Sequence, residues 1–224
     1  LPGQTVGIIG GTGAGKTTLV NLIPGLYAAS AGSVLLDDRD VNTLGAKAVC
    51  QKIGIVPQSN LLFAGTVRDH LRWGKENATD EEMLEACRLA CADEFIQGFP
   101  DKYDTHIEQG GANVSGGQKQ RISIARALMK DASILILDDS ASALDFATDA
   151  ALRAAIKEYS ASMTVFIVSQ RVGTVRSADR IAVLDDGRLA GFGTHSELLC
   201  SCEVYREICS SQLDREEMER DEQN

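Results

Sequence analysis

The 224-residue chain is 44% hydrophobic, enough to build one large α/β domain around a substantial core. Its 32 Asp and Glu against 22 Lys and Arg give a formal net charge of -10, which repels a phosphate backbone and argues against nucleic acid as a partner. No apolar run approaches the roughly 20 residues that a membrane-crossing helix needs; the best stretches, such as Ser133 to Leu137, have the length of a strand.

The chain opens on a turn-and-strand pattern, Leu1-Pro2-Gly3-Gln4, without an initiator Met or a signal-peptide profile, and so reads as a piece of a longer polypeptide. Thr5 to Ile9 is an apolar strand that gives way to a glycine-rich turn and a helix over Lys16 to Ile23, stopped by Pro24-Gly25. Ser33 to Leu36 and Ile53 to Val56 read as further strands, the second closed by Pro57. From about Phe63 to Lys130 the pattern turns helical. Thr79-Asp80-Glu81-Glu82 is a capping box that starts a helix running to about Ala92, and a second helix covers Gly116 to Met129. Strands return at Ile134 to Leu137, Thr164 to Val168 and Ile181 to Leu184, with a helix over Ala147 to Tyr159, an alternation that predicts a mostly parallel sheet. Asp186-Gly187 turns the chain into a hairpin strand over Leu189 to Gly193. Thr194-His195-Ser196-Glu197 caps a last helix, and Asp214 to Asn224 is a charged tail expected to be solvated or a frayed helix. The six cysteines, Cys50, Cys87, Cys91, Cys200, Cys202 and Cys209, form no C-x-x-C pair. Cys87 and Cys91, four apart on a helix, read as small buried apolar residues, a pattern that suits a reducing compartment.

Gly10-Gly11-Thr12-Gly13-Ala14-Gly15-Lys16-Thr17 fits G-x-x-x-x-G-K-[ST] between a strand and a helix. Glycines let the backbone N–H groups close around phosphate oxygens, and the helix N-terminus adds positive potential. Lys16 is placed to reach the β- and γ-phosphates and the Thr17 hydroxyl to ligate Mg²⁺. Ile134 to Leu137 then delivers Asp138 to the sheet edge as a second metal-holding group. By themselves Asp138 and Asp139 could be an edge-of-sheet turn, and the upstream loop is what makes them a metal site. Ser115-Gly116-Gly117-Gln118 is a capping box whose glycines allow an anion close to a helix N-terminus, a well-capped helix with no ligand being the alternative reading of the motif in isolation.

Val114 to Gln118, followed by Lys119-Gln120-Arg121 and Ala125-Arg126-Ala127-Leu128, resembles the signature motif of ATP-binding cassette (ABC) domains. The other stations of that family stand in its order: the P-loop, Val56-Pro57-Gln58 as Gln loop, the signature, Asp138 as Walker B carboxylate, Ser142-Ala143-Leu144-Asp145 as D-loop, and Ser169-Gln170-Arg171 at the switch loop. The resemblance implies an α/β P-loop NTPase of RecA-like type, a mostly parallel sheet with an antiparallel portion and an inserted helical subdomain. It places the ATPase core at 1–62 and 131–200, the helical part with the signature at 63–130, and a C-terminal helix and charged tail at 201–224. It implies ATP and Mg²⁺ as ligands. Gly11, Thr12, Gly13, Ala14, Gly15, Lys16, Thr17 and Thr18 would hold phosphate; Thr17, Gln58 and Asp138 would hold the metal; Lys16, Gln58, Asp139 and Gln170 would serve the chemistry. Ser115, Gly116, Gly117, Gln118 and Asp145 would meet a nucleotide held by the P-loop of a second cassette, so that two domains sandwich two nucleotides.

Leu62-Phe63-Ala64-Gly65-Thr66-Val67, Gly98-Phe99-Pro100 and Tyr103-Asp104-Thr105 look like stretches of multidrug, peptide or lipid exporters, with Glu108-Gln109-Gly110-Gly111 where those cassettes carry a short acidic motif. The resemblance therefore implies a motor on the cytoplasmic face of the cell membrane, coupled to a transmembrane domain of the same transporter and to a second, identical or different, cassette. The family also stacks adenine on an aromatic residue upstream of the first strand; that loop would precede Leu1, and its absence would weaken nucleotide binding by roughly 1 to 3 kcal/mol.

Two positions depart from the family. Asp139 stands where a glutamate polarises the attacking water, and Gln170 where a histidine touches the γ-phosphate; none of His70, His106 and His195 falls at that position. Asp is one methylene shorter, and misplacement on the order of 1 Å costs about 10²-fold in rate. A glutamine amide donates a hydrogen bond but carries no positive charge. Either change alone could be drift or an engineered inactivation; their coincidence on the same nucleotide resembles the degenerate half of a heterodimeric exporter. The competing readings are a regulatory module that keeps its ATP as dimer glue, and a soluble cassette ATPase acting on DNA or ribosomes, against which the acidic balance argues. No Ser, His and Asp set has the setting of a serine hydrolase.

Overall fold

The computed structural model describes residues 2–140, 142–159 and 163–213, so the reading of the charged tail lies outside the described residues. The chain enters on β1 (Thr5–Gly10), turns through the glycine-rich loop and continues into α1 (Lys16–Leu22). A small antiparallel hairpin of β2 (Leu35–Leu36) and β3 (Arg39–Asp40) follows, its two turn residues Asp37 and Asp38 both at positive φ. Next come α2 (Ala46–Lys52) and β4 (Ile53–Val56).

The stretch between β4 and the next sheet strand is mainly helical. It holds β5 (Gly65–Thr66), α3 (Val67–Arg72), α4 (Asp80–Leu89), α5 (Asp93–Gln97), β6 (His106–Ile107) and α6 (Gly116–Leu128), with β5 and β6 pairing antiparallel. The chain then alternates through β7 (Ile134–Asp138), α7 (Phe146–Tyr159), β8 (Thr164–Val168), α8 (Val172–Val175) and β9 (Arg180–Asp185). It closes with β10 (Arg188–Gly193), α9 (His195–Ser201) and α10 (Glu203–Gln212).

Six strands make the main sheet in the order β10-β9-β1-β8-β7-β4, all parallel except β10, which returns from β9 through Asp186-Gly187. Both turn residues have positive φ, 43° and 73°, as a tight hairpin requires. The five parallel strands are nearly continuous apolar runs because both sheet faces are covered, whereas β10 at the edge is mostly exposed. Successive residues serve opposite faces. Leu135, Leu137, Ile9, Ile181 and Val183 join one core with α4, α6, α7 and the C-terminal helices, while Ile136, Ile8, Ala182 and Leu184 join a second core under α1 and α2.

Two helical expectations need correction. The helix begun by Thr79 stops at Leu89 rather than Ala92, because Cys91 adopts φ 53° and the chain turns. The C-terminal helix is two helices, broken where Cys202 is extended at φ -120° and ψ 108°. The strand expected over Ser33 to Leu36 pairs only at Leu35–Leu36.

Candidate functional site

Sheet register assembles the site. Ile8, Val168 and Asp138 stand side by side on β1, β8 and β7, so the residues just beyond them emerge together at the carboxyl edge. Val56 pairs with Leu137, which brings Gln58 level with Asp139 at the same edge. The P-loop, the Gln58 segment, the two carboxylates and Gln170 thus come from four neighbouring strands and line one cavity of about 220 Å³.

The loop after β1 is shaped by glycine where nothing else fits. A Cβ on Gly10 would sit 2.2 Å from the Leu184 carbonyl oxygen, and Gly13 and Gly15 hold φ values of 83° and 90°. Lys16 is 9% exposed and folds back over this loop, its Nζ donating to the carbonyls of Gly10 at 2.8 Å and Gly11 at 2.7 Å. Burial pushes the Lys16 ammonium pKa down, and the carboxylates of Asp139 and Asp138 push it back up.

Asp138 is 3% exposed. Its Oδ1 is buried with no hydrogen-bond partner, while the Thr17 hydroxyl bonds its carboxylate. Burial raises the Asp138 pKa, the neighbouring Asp139 raises it further, and Thr17 and Lys16 hold it down. An orphaned carboxylate oxygen beside a hydroxyl is the donor set that a hard cation satisfies. Among the described residues no three His, Cys, Asp or Glu gather to hold a metal by themselves. A cation here would need further oxygen ligands, for which the Thr17 hydroxyl and the Gln58 side chain, both lining the cavity, are the candidates.

The two departing positions, Asp139 and Gln170, both line this cavity. Asp139, at φ 48°, accepts a hydrogen bond from Gln58 Nε2 at 3.3 Å. Gln170 Oε1 accepts from the Thr12 hydroxyl at 3.2 Å, which orients the Gln170 amide across the loop. Of the expected phosphate contacts, Thr12, Gly13, Gly15, Lys16, Thr17 and Thr18 line the cavity. Gly11 gives its carbonyl to Lys16, and Ala14 is 5% exposed with its methyl in the core. Val168 also lines the cavity and was not anticipated, since a strand-end valine carries no chemical signal.

The other predicted set lies elsewhere. Ser115 caps α6 through a reciprocal box: Gln118 N–H donates to Ser115 Oγ at 3.2 Å and Ser115 N–H to Gln118 Oε1 at 2.9 Å. Gly116 and Gly117 form the first turn against the D-loop, where a Cβ on Gly117 would meet the Ala143 carbonyl oxygen at 3.2 Å. Asp145 accepts from Thr148 N–H at 2.9 Å and the Thr148 hydroxyl at 2.8 Å, which lowers its pKa. None of Ser115, Gly116, Gly117, Gln118 and Asp145 reaches the cavity wall.

Sequence reasoning missed two polar supports. The Asn60 amide, two residues past Gln58, donates to the side chain of Gln120, which is 2% exposed on α6. Gln212 on α10 bonds the backbone around Arg171. A glutamine on the buried face of an amphipathic helix is the one signal by which Gln120 could have been found; an exposed glutamine like Gln212 carries none.

The family description "ABC transporter" matches residues 1–142 of the chain. The chain is 47% identical over 215 residues to the ABC transporter ATP-binding protein YfiB of Bacillus subtilis, covering 96% of this chain and 37% of that protein. It is 46% identical over 196 residues to the beta-(1-->2)glucan export ATP-binding/permease protein NdvA of Rhizobium johnstonii, covering 88% and 33%. With human ATP-binding cassette sub-family B member 5 it shares 42% over 210 residues, covering 94% and 17%. A bacterial Atm1-family ABC exporter with ATP bound superposes with a TM-score of 0.91 at 34% identity, over 96% of this chain and 37% of that one. The chain thus spans roughly a third or less of the length of these curated relatives.

Proposed function

This chain belongs to the ABC transporter family as a nucleotide-binding domain, and from that premise we propose that it binds ATP with Mg²⁺ and drives export through a transmembrane domain. The observation that carries the reading is Asp138 Oδ1, a buried carboxylate oxygen left without a partner beside Thr17 and the Lys16 ammonium. Thr17, Gln58 and Asp138 would hold the metal, which when bound neutralises charge on the phosphates.

Lys16 exchanges its two carbonyl partners for phosphate oxygens, and the N–H groups of the loop up to Thr18 close around the same anion. Gln58 and Asp139 hold a water between them in place of their long direct bond, and Asp139 is the group that receives its proton. Gln170 turns its amide from Thr12 to the outermost phosphate. Asp139 has a short reach and Gln170 no charge, so this site hydrolyses slowly while still binding. Ser115 to Gln118, with Asp145, serve the site of a second cassette, and a partner with glutamate and histidine at the two positions makes an asymmetric pair.

Residues 1–62 and 131–200 act as ATPase core and 63–130 as a helical part. On the latter, Phe63 and Trp73, 45% and 52% exposed with ring centroids 5.4 Å apart, offer an apolar face to a transmembrane domain at the cytoplasmic side of the membrane. No helix among the described residues is long and apolar enough to cross a membrane itself.

Single-turnover hydrolysis tests the reading. Asp139→Glu with Gln170→His raises the rate by about 10²-fold over the unmodified chain at unchanged MgATP affinity. An unmodified chain that already hydrolyses as fast as the double variant contradicts the slow site, and ATP retained without hydrolysis by both points to a regulatory module instead.

A further inference from the structure

The switch loop runs from the end of β8 through Ser169, Gln170 and Arg171 into α8. Part of its backbone is held locally: Ser169 N–H donates to Ile8 O at 3.0 Å and Arg171 N–H to the Ser169 hydroxyl oxygen at 3.0 Å. The rest is held from far along the chain. Gln212 Nε2 donates to Gln170 O at 2.7 Å, and Gln212 Oε1 accepts from Val172 N–H at 2.9 Å. A primary amide carries a donor and an acceptor in one plane, so it satisfies a carbonyl and an N–H two residues apart much as a neighbouring strand does.

The helix presenting this amide is firmly seated. Tyr205 and Cys209 of α10 are fully buried, and Tyr205 Oη lies 2.7 Å from His195 Nδ1. Arg206 Nη1 donates to the carbonyls of Leu199 at 3.2 Å and Cys200 at 3.0 Å, tying α10 to the end of α9. Leu213, directly after Gln212, packs against the same core. Gln212 therefore approaches the switch loop from a fixed platform, and its two bonds bracket Arg171.

We propose that Gln212 is a positioning residue for the nucleotide site: by fixing the backbone on both sides of Arg171 it sets where the Gln170 side chain stands over Thr12 of the P-loop. The role rests on Gln170 meeting the outermost phosphate, as argued above. It couples the C-terminal helix to the chemistry without touching the nucleotide, so that displacement of α10 changes rate before it changes affinity.

The test uses Gln212→Ala and Gln212→Glu in the full chain, with MgATP affinity by calorimetry, single-turnover hydrolysis at pH 7.5, and melting temperature. Gln212→Ala is expected to bind MgATP within about twofold of the parent and to hydrolyse it about tenfold more slowly. Gln212→Glu, whose carboxylate accepts from Val172 N–H but cannot donate to the Gln170 carbonyl, is slow as well. Rate losses that follow melting temperature, or losses of affinity that match those of rate, show a helix-packing role and overturn the proposal. Equal rates in all three chains overturn it alone, whereas a parent that binds no MgATP overturns it together with the reading of the site.

Discussion

At the residue scale, titration sets behaviour away from the nucleotide. His70 on α3 is 1% exposed, with Nε2 against Phe63 O at 3.0 Å and a buried Nδ1 that has no partner. Burial lowers its pKa from 6.5 and the Arg126 charge adds to that, while the Phe63 carbonyl and Asp69 oppose it. The unfolded chain then binds a proton that the folded chain refuses, so His70 costs stability as pH falls through the unfolded value near 6.5, and nothing above it. Thermal unfolding followed from pH 7.5 to 5.5 should show this slope, at most about 1.4 kcal/mol per pH unit, and His70→Gln should flatten it; an unchanged slope in the variant removes His70 as its source. The chemistry-bearing residues were the most legible part of the sequence, because P-loop geometry needs glycine at Gly10, Gly13 and Gly15 and lysine at Lys16 whatever surrounds them. What the sequence withheld was partnership: that Gln58 faces Asp139, that Thr12 faces Gln170, and that Gln212 reaches across 42 residues to the switch loop. Those follow from strand order and helix placement, which no local pattern encodes.

At the element scale, boundaries failed where the terminating residue lacked its usual sign. The helix begun at Thr79 carries a full capping box, visible in the sequence and present in the fold, with Glu82 N–H donating to Thr79 Oγ1 at 3.3 Å and Thr79 N–H to Glu82 Oε2 at 2.9 Å. Its end is a Schellman turn: Ala92 N–H reaches Cys87 O at 2.6 Å and Cys91 N–H reaches Arg88 O at 3.0 Å. Glycine normally occupies the left-handed position, and here Cys91 does, so periodicity carried the expected helix past its stop. Cys91→Val, with a β-branched side chain at positive φ, should lower stability by about 1 to 2 kcal/mol in urea unfolding, and Cys91→Gly should not; equal losses in both would place the cost in packing instead. The same blindness hid the break at Cys202, an ordinary residue in extended conformation between two helices.

At the scale of the whole molecule, the alternating strands and helices were enough to predict a mostly parallel sheet, and β10 and the two separate two-stranded sheets supply the antiparallel portion. The order β10-β9-β1-β8-β7-β4 was not legible, because parallel strands far apart in sequence offer no turn to fix their neighbours. That order is what turns scattered motifs into a site: β8 lies between β1 and β7, so the switch loop rises between the P-loop and the Asp138-Asp139 pair. Ser115 to Gln118 and Asp145 stay off the cavity wall, and the role proposed for them requires a second cassette. In the proposed function Asp138 anchors a metal-bound nucleotide. Calorimetric titration of ATP with and without Mg²⁺ into the chain and into Asp138→Asn measures this directly. Binding by the unmodified chain that strengthens with Mg²⁺, together with loss of that strengthening in Asp138→Asn, is the predicted result; no binding heat at millimolar MgATP, or an undiminished Mg²⁺ effect in the variant, would contradict it.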